Sequence, residues 1–567
     1  MDCLFLVAIG ALSMASYQFY LGFYSDDWAL LASMRLSEGQ SLIDVFKEIV
    51  RIHDNEIRPF QFLEFAALYK LFGLDPLGYH IINSTVLLLD FVLFYLLVRA
   101  LGQPRLWALS ICLTFMLAPS YSTDRFWIAS AAANLSMLFF LLSLHAHWQA
   151  RRHSEEGFWR WETVAVLGVL ASGFCYEVFL PLFLLATAAL FVFELITGWS
   201  HSARGRIVGK AVLHQAAMVS AVALILVVKA LWAPRVPRDL EFIGLVSWTG
   251  HAILKAGVIN YGYHLLMLPS TTWHVFRYHA DAAMVITASV IGFAVWTRLY
   301  TLPNPLMGSA ATLRAKMWVY MGCGIVLFVA GYSLFPIKPA ENGPNNRFAI
   351  AATVGFAVSV VGGLGALTSF ASRVWRKAIL CTALALVGMS SALIVAAVGN
   401  FWIESFRIQK EILSDIQNHV PVIPAGTTLI LDGVCPHNGP APIFNASWDL
   451  SGALSLLYGH YGIEANIVTQ WMTVEQNGLT VPTNAEPVIY PFGRLYVYHL
   501  GRKTVYALPD AQAAQTYFND ISTDRTVRCP PDVDGNGVDV LNGLIAKLHR
   551  LFGKANAAPK SPTTPGN

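Results

Sequence analysis

The sequence predicts an α-helical polytopic membrane protein, with about eleven transmembrane helices and a small α/β domain at the C-terminal end. Three observations predict it. Of 567 residues, 55% are hydrophobic and 13% charged, where a soluble chain carries about 25% charged residues. Mean hydropathy is +0.52. Apolar runs of membrane-crossing length recur as far as Asn400 and then stop. This composition excludes a disordered chain, a fibrous protein and an ordinary soluble enzyme. The net charge of +3 is dispersed over short loops, so no nucleic-acid partner is expected.

In chain order, the expected spans are Cys3–Gly22, His80–Val98, Leu106–Ala118, Ile128–Trp148, Val164–Phe174, Val178–Ile196, Val212–Trp232, Ala282–Thr297, Met317–Phe335, Phe348–Phe370 and Ile379–Gly399. Only Cys175-Tyr176-Glu177 separates the fifth from the sixth. The first lacks a basic leader and a clean small-residue cleavage site, so it reads as a retained span rather than a signal peptide. It leaves almost no tail before it, and the true N-terminus stays open.

Orientation follows from the short basic loops. These hold Arg99 and Arg105; Arg151, Arg152 and Arg160; Arg204, Arg206 and Lys210; Arg298, Arg314 and Lys316; and Arg373, Arg376 and Lys377. All fall on one side if every span is real, and the positive-inside rule makes that side cytoplasmic. Residues 1–400 then form a membrane domain with large outer loops at 23–79 and 233–281. Residues 401–554 form an extracytoplasmic α/β domain, and 555–567 a Pro/Ala/Ser/Thr-rich disordered tail. In the first outer loop Leu42, Val45, Phe46, Ile49 and Val50 recur at helical spacing. That helix lies either along the membrane surface or packed over the bundle.

Beyond Asn400, Ser405–His419 reads as a helix leaving the membrane and Thr427–Leu431 as a buried strand. A Pro/Gly-rich loop follows from Cys435 to Pro442. Leu450–Tyr461 reads as a helix, and Pro487–Leu500 as strand split at Phe492-Gly493. Cys3, Cys112, Cys175, Cys323 and Cys381 lie in or beside spans and read as small packing residues. Cys435 and Cys529 are alone in the outer domain, and an oxidising compartment would favour their pairing. Asp532, Asp534 and Asn536, with Gly537, match the opening of a calcium loop, but the twelfth position is Gly543 where a carboxylate is needed. An Asp/Asn/Gly turn capping a helix at Leu541–Leu551 is the favoured alternative.

Chemistry is sought where charge is costly, at membrane depth or at its edge. Tyr24-Ser25-Asp26-Asp27-Trp28 follows the first span. Adjacent carboxylates there offer a general base and a partner, although one Asp would also serve as a helix cap. His53-Asp54-Asn55-Glu56-Ile57-Arg58-Pro59 carries an Arg suited to a phosphate, or is a solvated turn. Asp124-Arg125 precedes the fourth span, and Asn134 lies within it. Glu177 lies between apolar runs with no cation near it in sequence, so it either pairs with a distant Arg or marks a cavity. Lys338, Glu341, Asn345, Asn346 and Arg347 occupy a short outer loop. His264, Arg277 and His279 are weaker candidates in the long one.

In order, these clusters resemble the GT-C superfamily of polyprenyl-phosphate-sugar-dependent glycosyltransferases, which includes protein O-mannosyltransferases and bacterial transferases that modify lipid A and surface polysaccharides. Four features carry the resemblance across Met1–Asn400: Asp26-Asp27 after the first span; Arg58-Pro59 and Leu71-Phe72-Gly73 with His80 and Asn83; Ala118-Pro119 to Trp127-Ile128; and Arg347-Phe348 at a late span. One departure is Tyr176-Glu177, where related sequences often have Lys-Glu; a site cation is lost there.

The resemblance implies a bacterial inner-membrane enzyme. It would take sugar from a polyprenyl-phosphate donor and pass it to an extracytoplasmic glycan, lipid or protein, inverting the anomeric centre. Asp26 is the implied base, with Asp27 beside it, and Arg58, Arg347 and Arg125 are the implied phosphate contacts. Glu177, His80 and His264 are further site candidates. No cofactor is expected, although a divalent metal is compatible with the superfamily. The competing readings are a lipid-linked sugar transporter and a non-catalytic scaffold presenting the outer domain.

Overall fold

The computed structural model describes residues 1–53, 58–150, 155–198, 204–232, 261–307, 309–333, 347–482, 487–522 and 529–530. Its helices are α1 (Asp2–Met14), α2 (Asp26–Arg35), α3 (Leu42–His53), α4 (Pro59–Phe72), α5 (Pro76–Ala100), α6 (Arg105–Leu117), α7 (Thr123–Phe126), α8 (Ala132–Ala150), α9 (Glu155–Cys175), α10 (Leu180–Gly198), α11 (Arg204–Trp232), α12 (Tyr261–Tyr278), α13 (Ala282–Thr301), α14 (Ala310–Tyr332), α15 (Ala349–Thr368) and α16 (Arg376–His419).

Among the described residues, seven helical stretches are long and apolar enough, by length and composition, to cross a membrane: Pro76–Ala100, Ile128–Ala150, Val212–Trp232, Ala282–Thr301, Ala310–Tyr332, Ala349–Thr368 and Arg376–His419. Asp2–Met14, Arg105–Leu117 and Glu177–Ala189 are shorter apolar helices. Seven full-length stretches therefore stand against the expected eleven or so. The first expected span is interrupted because helix α1 stops at Met14 and turns follow. The fifth, Val164–Phe174, is the apolar end of a helix that starts among Glu155, Arg160 and Glu162.

Caps fix several helix starts. Asp75 accepts the Leu77 amide with Pro76 at the first helical position of α5, Asp281 accepts the Met284 amide, and Ser309 accepts the Thr312 amide. Helices α14 and α15 touch backbone to backbone: a Cβ on Gly355 would sit 2.2 Å from the Phe328 nitrogen, and one on Gly324 2.3 Å from the Ser359 nitrogen. Small residues permit this approach, which is a main source of helix association in lipid.

The ends of the bundle differ chemically. Helices α5 and α8 run in the same direction, since Asn134 donates to Asn83 near their starts and His145 meets the Leu93 carbonyl further on. At the far end Asp2 binds Arg105 at 2.8 Å and also Arg298, and Lys377 donates to the Leu302 carbonyl. The basic loops around Arg105, Arg298 and Lys377 therefore share one end, and the acidic pair lies at the other.

At the acidic-pair end α2, α3 and α4 form their own core. Val45 and Ile49 of α3 are wholly buried with Leu31, Met34, Phe62, Phe65 and Tyr69. The apolar face of the first outer loop is thus covered by protein, which is the packed alternative.

The expected separation between the last span and the helix leaving the membrane is absent. Helix α16 runs unbroken for 44 residues, roughly 66 Å. Its C-terminal part, through Ile412 and Ile416, enters the core of the outer domain. There β1 (Thr427–Asp432) is flanked by parallel β4 (Ile463–Ile467) and β8 (Leu495–His499), and β9 (Thr504–Ala507) pairs antiparallel with β8. The short strands β2 (His437–Asn438) and β3 (Ala441–Pro442) pair antiparallel, a further sheet orders β5 (Thr473–Val474), β6 (Gly478–Val481) and β7 (Val488–Pro491), and α17 (Ser447–Tyr458) ends at Gly459 with φ 75°. A disulfide joins Cys435 to Cys529, with Cα atoms 5.6 Å apart. The calcium-like string at Asp532, Asp534 and Asn536 lies outside the described residues, as does 334–346 with Lys338, Glu341, Asn345 and Asn346.

Candidate active site

The acidic pair opens α2 and its two members have different surroundings. Ser25, just before it, has φ 47°, a left-handed conformation that a residue with a Cβ adopts only when its surroundings hold it there. Asp27 is 0% exposed. One oxygen accepts the Tyr24 amide at 3.0 Å and the other the Ala129 amide at 2.8 Å. Burial pushes this carboxyl well above the usual carboxylate range, against the pull of those amides. Asp27 therefore ties the start of α2 to the turn Ile128–Ser130. Asp26 is partly exposed and accepts the Trp448 indole N–H at 2.7 Å.

That bond comes from the outer domain, which docks on the acid-bearing helix. A Cβ on Gly452 would meet the Ala29 backbone at 2.7 Å, and Tyr461 donates to the Ser33 carbonyl at 3.0 Å. Asp449, one turn before Gly452, is buried and accepts the amides of Asn445, Ala446 and Leu450. Burial, with the Asp26 charge adding to it, pushes the Asp449 carboxyl up to about 7.

Trp127 leads from the acids to a group of cations. Its indole donates to the Tyr24 carbonyl at 2.9 Å, and Gln61 holds the adjoining turn through the Ala129 carbonyl at 2.8 Å. The Arg347 guanidinium lies 5.3 Å from the Trp127 ring and 5.1 Å from that of Phe348. Phe348 stacks on Tyr176 at 6.3 Å, and Arg58 lies 4.3 Å over the other neighbour-facing part of this wall, the Tyr176 ring. Arg58 also reaches Glu177 at 2.8 Å, and Lys229 reaches the same carboxylate at 2.7 Å. Two cations thus pair with one carboxylate, and a third, Arg347, lies along the same aromatic wall. Among the described residues, no carboxylate pairs with Arg347.

The structure therefore brings together Asp26, Asp27, Arg58, Glu177 and Arg347. Arg125 is buried, and its guanidinium donates to the Met116 and Ala118 carbonyls and the Tyr121 hydroxyl, so it holds the end of α6. His80 is buried against the Gly22 carbonyl at 2.9 Å. His264 packs against Phe328 and Phe356 of the α14–α15 pair. The Asp124 backbone carbonyl accepts from Asn83 and Asn134, which fixes the loop that carries Trp127. His279 packs on Phe401, and Arg277 lies over Tyr278.

Sequence reasoning missed Lys229 and Trp448. Lys229 supplies a second cation to Glu177, from a helix two further along the chain. Its signal was a lone Lys at the end of the apolar run Val212–Trp232. Trp448 gave no local signal.

No family model matches the chain, and no curated protein matches it in sequence. Among solved structures it is similar to the crystal structure of ArnT from Cupriavidus metallidurans bound to undecaprenyl phosphate, at 11% identity and TM-score 0.36, over 82% of this chain and 85% of that one. It is also similar to the crystal structure of the Archaeoglobus fulgidus oligosaccharyltransferase tethered with an acceptor peptide, at 12% identity and TM-score 0.39. That second match covers 82% of this chain, which spans 64% of the length of the archaeal protein.

Proposed function

We propose that this chain is a GT-C-type membrane glycosyltransferase that moves a sugar from a polyprenyl-phosphate donor to an acceptor hydroxyl on the extracytoplasmic side. The supporting observation is that Trp127, on whose ring Arg347 lies, donates to the Tyr24 carbonyl two residues before the partly exposed Asp26, so the acid-bearing turn adjoins a cation-rich aromatic wall. Arg58, Lys229 and Arg347 outnumber Glu177, and the surplus positive charge suits a phosphate. The aromatic faces of Trp127, Phe348 and Tyr176 suit a lipid-borne sugar. The positive-inside rule assigns the basic-loop end to the cytoplasm and the site to the outer edge.

In this mechanism the acceptor oxygen attacks the anomeric carbon as Asp26 takes its proton. The bond from that carbon to the donor phosphate oxygen breaks, and the lipid phosphate leaves with its added charge against Arg347, Arg58 and Lys229. Attack opposite the leaving group inverts the centre. Asp27, held by two amides, positions α2 and does not touch substrate. The donor and the acceptor class (glycan, lipid or protein) are read by the assay.

The test is sugar transfer in membranes supplied with labelled polyprenyl-phosphate sugars, with and without a chelator, at matched expression. Asp26→Asn is expected to lower transfer by about 10²–10⁴-fold while folding is retained. Transfer that survives this change in a protein that transfers as wild type overturns the mechanism. Movement of donor across vesicles without transfer favours a transporter.

A further inference from the structure

A second polar cluster lies at the opposite end of the bundle, apart from the proposed transfer site. His147 near the end of α8, Glu162 on α9 and His214 on α11 are 3%, 4% and 4% exposed. His214 Nδ1 is hydrogen-bonded to Glu162 Oε1, and His147 Nδ1 lies 3.8 Å from Glu162 Oε2. The two imidazoles lie face to face, centroids 3.2 Å apart. One ligand atom from each residue lies within 4.8 Å of the other two.

We propose that these three side chains form a divalent metal site, with zinc as its occupant. Two imidazoles and one carboxylate are a zinc donor set, and they leave a fourth position for a water. Donors on one zinc stand roughly 3.4 Å apart, from bond lengths of about 2.1 Å, so side-chain rotations close the set without moving a helix. One histidine suffices to pair with a buried glutamate. The second converges on the same carboxylate from a third helix, which hydrogen bonding of the glutamate alone does not require. Carboxylate and imidazole groups at this depth are costly unless they coordinate or pair.

The position gives the site its role. From Glu162 to Cys175 helix α9 rises roughly 20 Å, and from His214 to Lys229 helix α11 rises roughly 22 Å. His214 meets Glu162 of α9 and Lys229 meets Glu177 in the turn that directly follows α9, and both pairs are 52 residues apart. The two helices thus run parallel in one register, tied at the basic-loop end by the metal set and at the other by the ion pair. A metal at the first tie fixes the height at which Lys229 meets Glu177.

The test reads metal, not transfer, so its failure is separate from that of the proposed function. The purified full chain is stripped with chelator and reloaded with zinc alone, and its metal content is measured. Wild type is expected to retain about one zinc per chain that Glu162→Gln and His214→Ala lose. Cobalt, loaded in place of zinc, reports a four-coordinate nitrogen and oxygen set in wild type without any variant, which keeps the test open if a variant fails to fold. Zinc is also expected to raise the melting temperature of wild type and not that of His147→Gln. Retention no higher in wild type than in a chain with all three replaced overturns the site, as does a six-coordinate, water-like cobalt spectrum. Preference for manganese or iron overturns the zinc assignment.

Discussion

Helix α11 meets a glutamate near each end, Glu162 of α9 at one and Glu177, just past the end of α9, at the other, and the two ends are built differently. At the acidic-pair end Glu177 meets Arg58 and Lys229, and its side chain keeps 19% of its exposure. Arg347 stands nearby over the Trp127 and Phe348 rings, so among the described residues three cations line this wall beside one paired carboxylate. At the basic-loop end Glu162 meets two histidines and is closed off. An accessible set with surplus charge is arranged to receive an anion. A closed set whose donors converge is arranged to hold a small cation. The same residue type serves two chemistries because access and the partners' charge differ.

Substitutions at the two ends should therefore separate cleanly. The largest effect is expected from Asp26→Asn, which lowers transfer by about 10²–10⁴-fold and leaves bound zinc unchanged. Its neighbour sharpens the contrast. Asp27→Asn leaves one buried amide without its carboxylate oxygen, and is expected to lower stability by about 1–3 kcal/mol in chemical denaturation. If both variants behave alike, the distinction between base and positioning residue fails.

Next in size is Arg347→Ala, expected to lower transfer about 10²-fold, with a stability cost of about 0.5–1 kcal/mol from its contacts with the Trp127 and Phe348 rings. Glu177→Gln is the counterpart of Glu162→Gln. The first is expected to cost transfer and keep zinc; the second is expected to lose zinc. A variant that loses both would join the two ends into one unit. Gly452→Val drives a side chain into the Ala29 backbone and is expected to cost about 1–3 kcal/mol, read as earlier proteolysis of the outer domain.

A pH slope is expected as well. The Asp449 carboxyl, pushed up to about 7, binds its proton more tightly folded than unfolded. Its contribution is therefore full below the unfolded carboxylate range and is lost as pH rises towards 7. Docking of the outer domain should weaken across that window, and Asp449→Asn should flatten the slope. A slope unchanged in that variant assigns it to another group.

Much of the fold was legible because apolar length and helical period are local properties. The Arg376–His419 stretch shows the limit. Composition changes sharply at Asn400 and suggests a break, yet the backbone continues because nothing in the sequence there interrupts a helix and the outer core buries Ile412 and Ile416. Strands β4 and β9 were missed because short strands beside a buried β1 carry little pattern of their own. The site was half legible. Asp26, Arg58 and Arg347 stand out as charges beside apolar runs, but Arg125 stands out equally and is turned to the carbonyls of α6. A charge's partners are not written near it.

What the sequence alone determined is the class of molecule: repeated apolar helices, short basic loops between them, an acidic pair after an apolar run and two cysteines in a C-terminal domain. Only the tertiary structure decided which aspartate is buried, that Lys229 supplies a cation beside Glu177, and that His147, Glu162 and His214 meet. The reason is physical. Period and composition act over one helical turn to one span, whereas these contacts join residues 15 to 52 positions apart or more, and are made by the register in which whole helices pack.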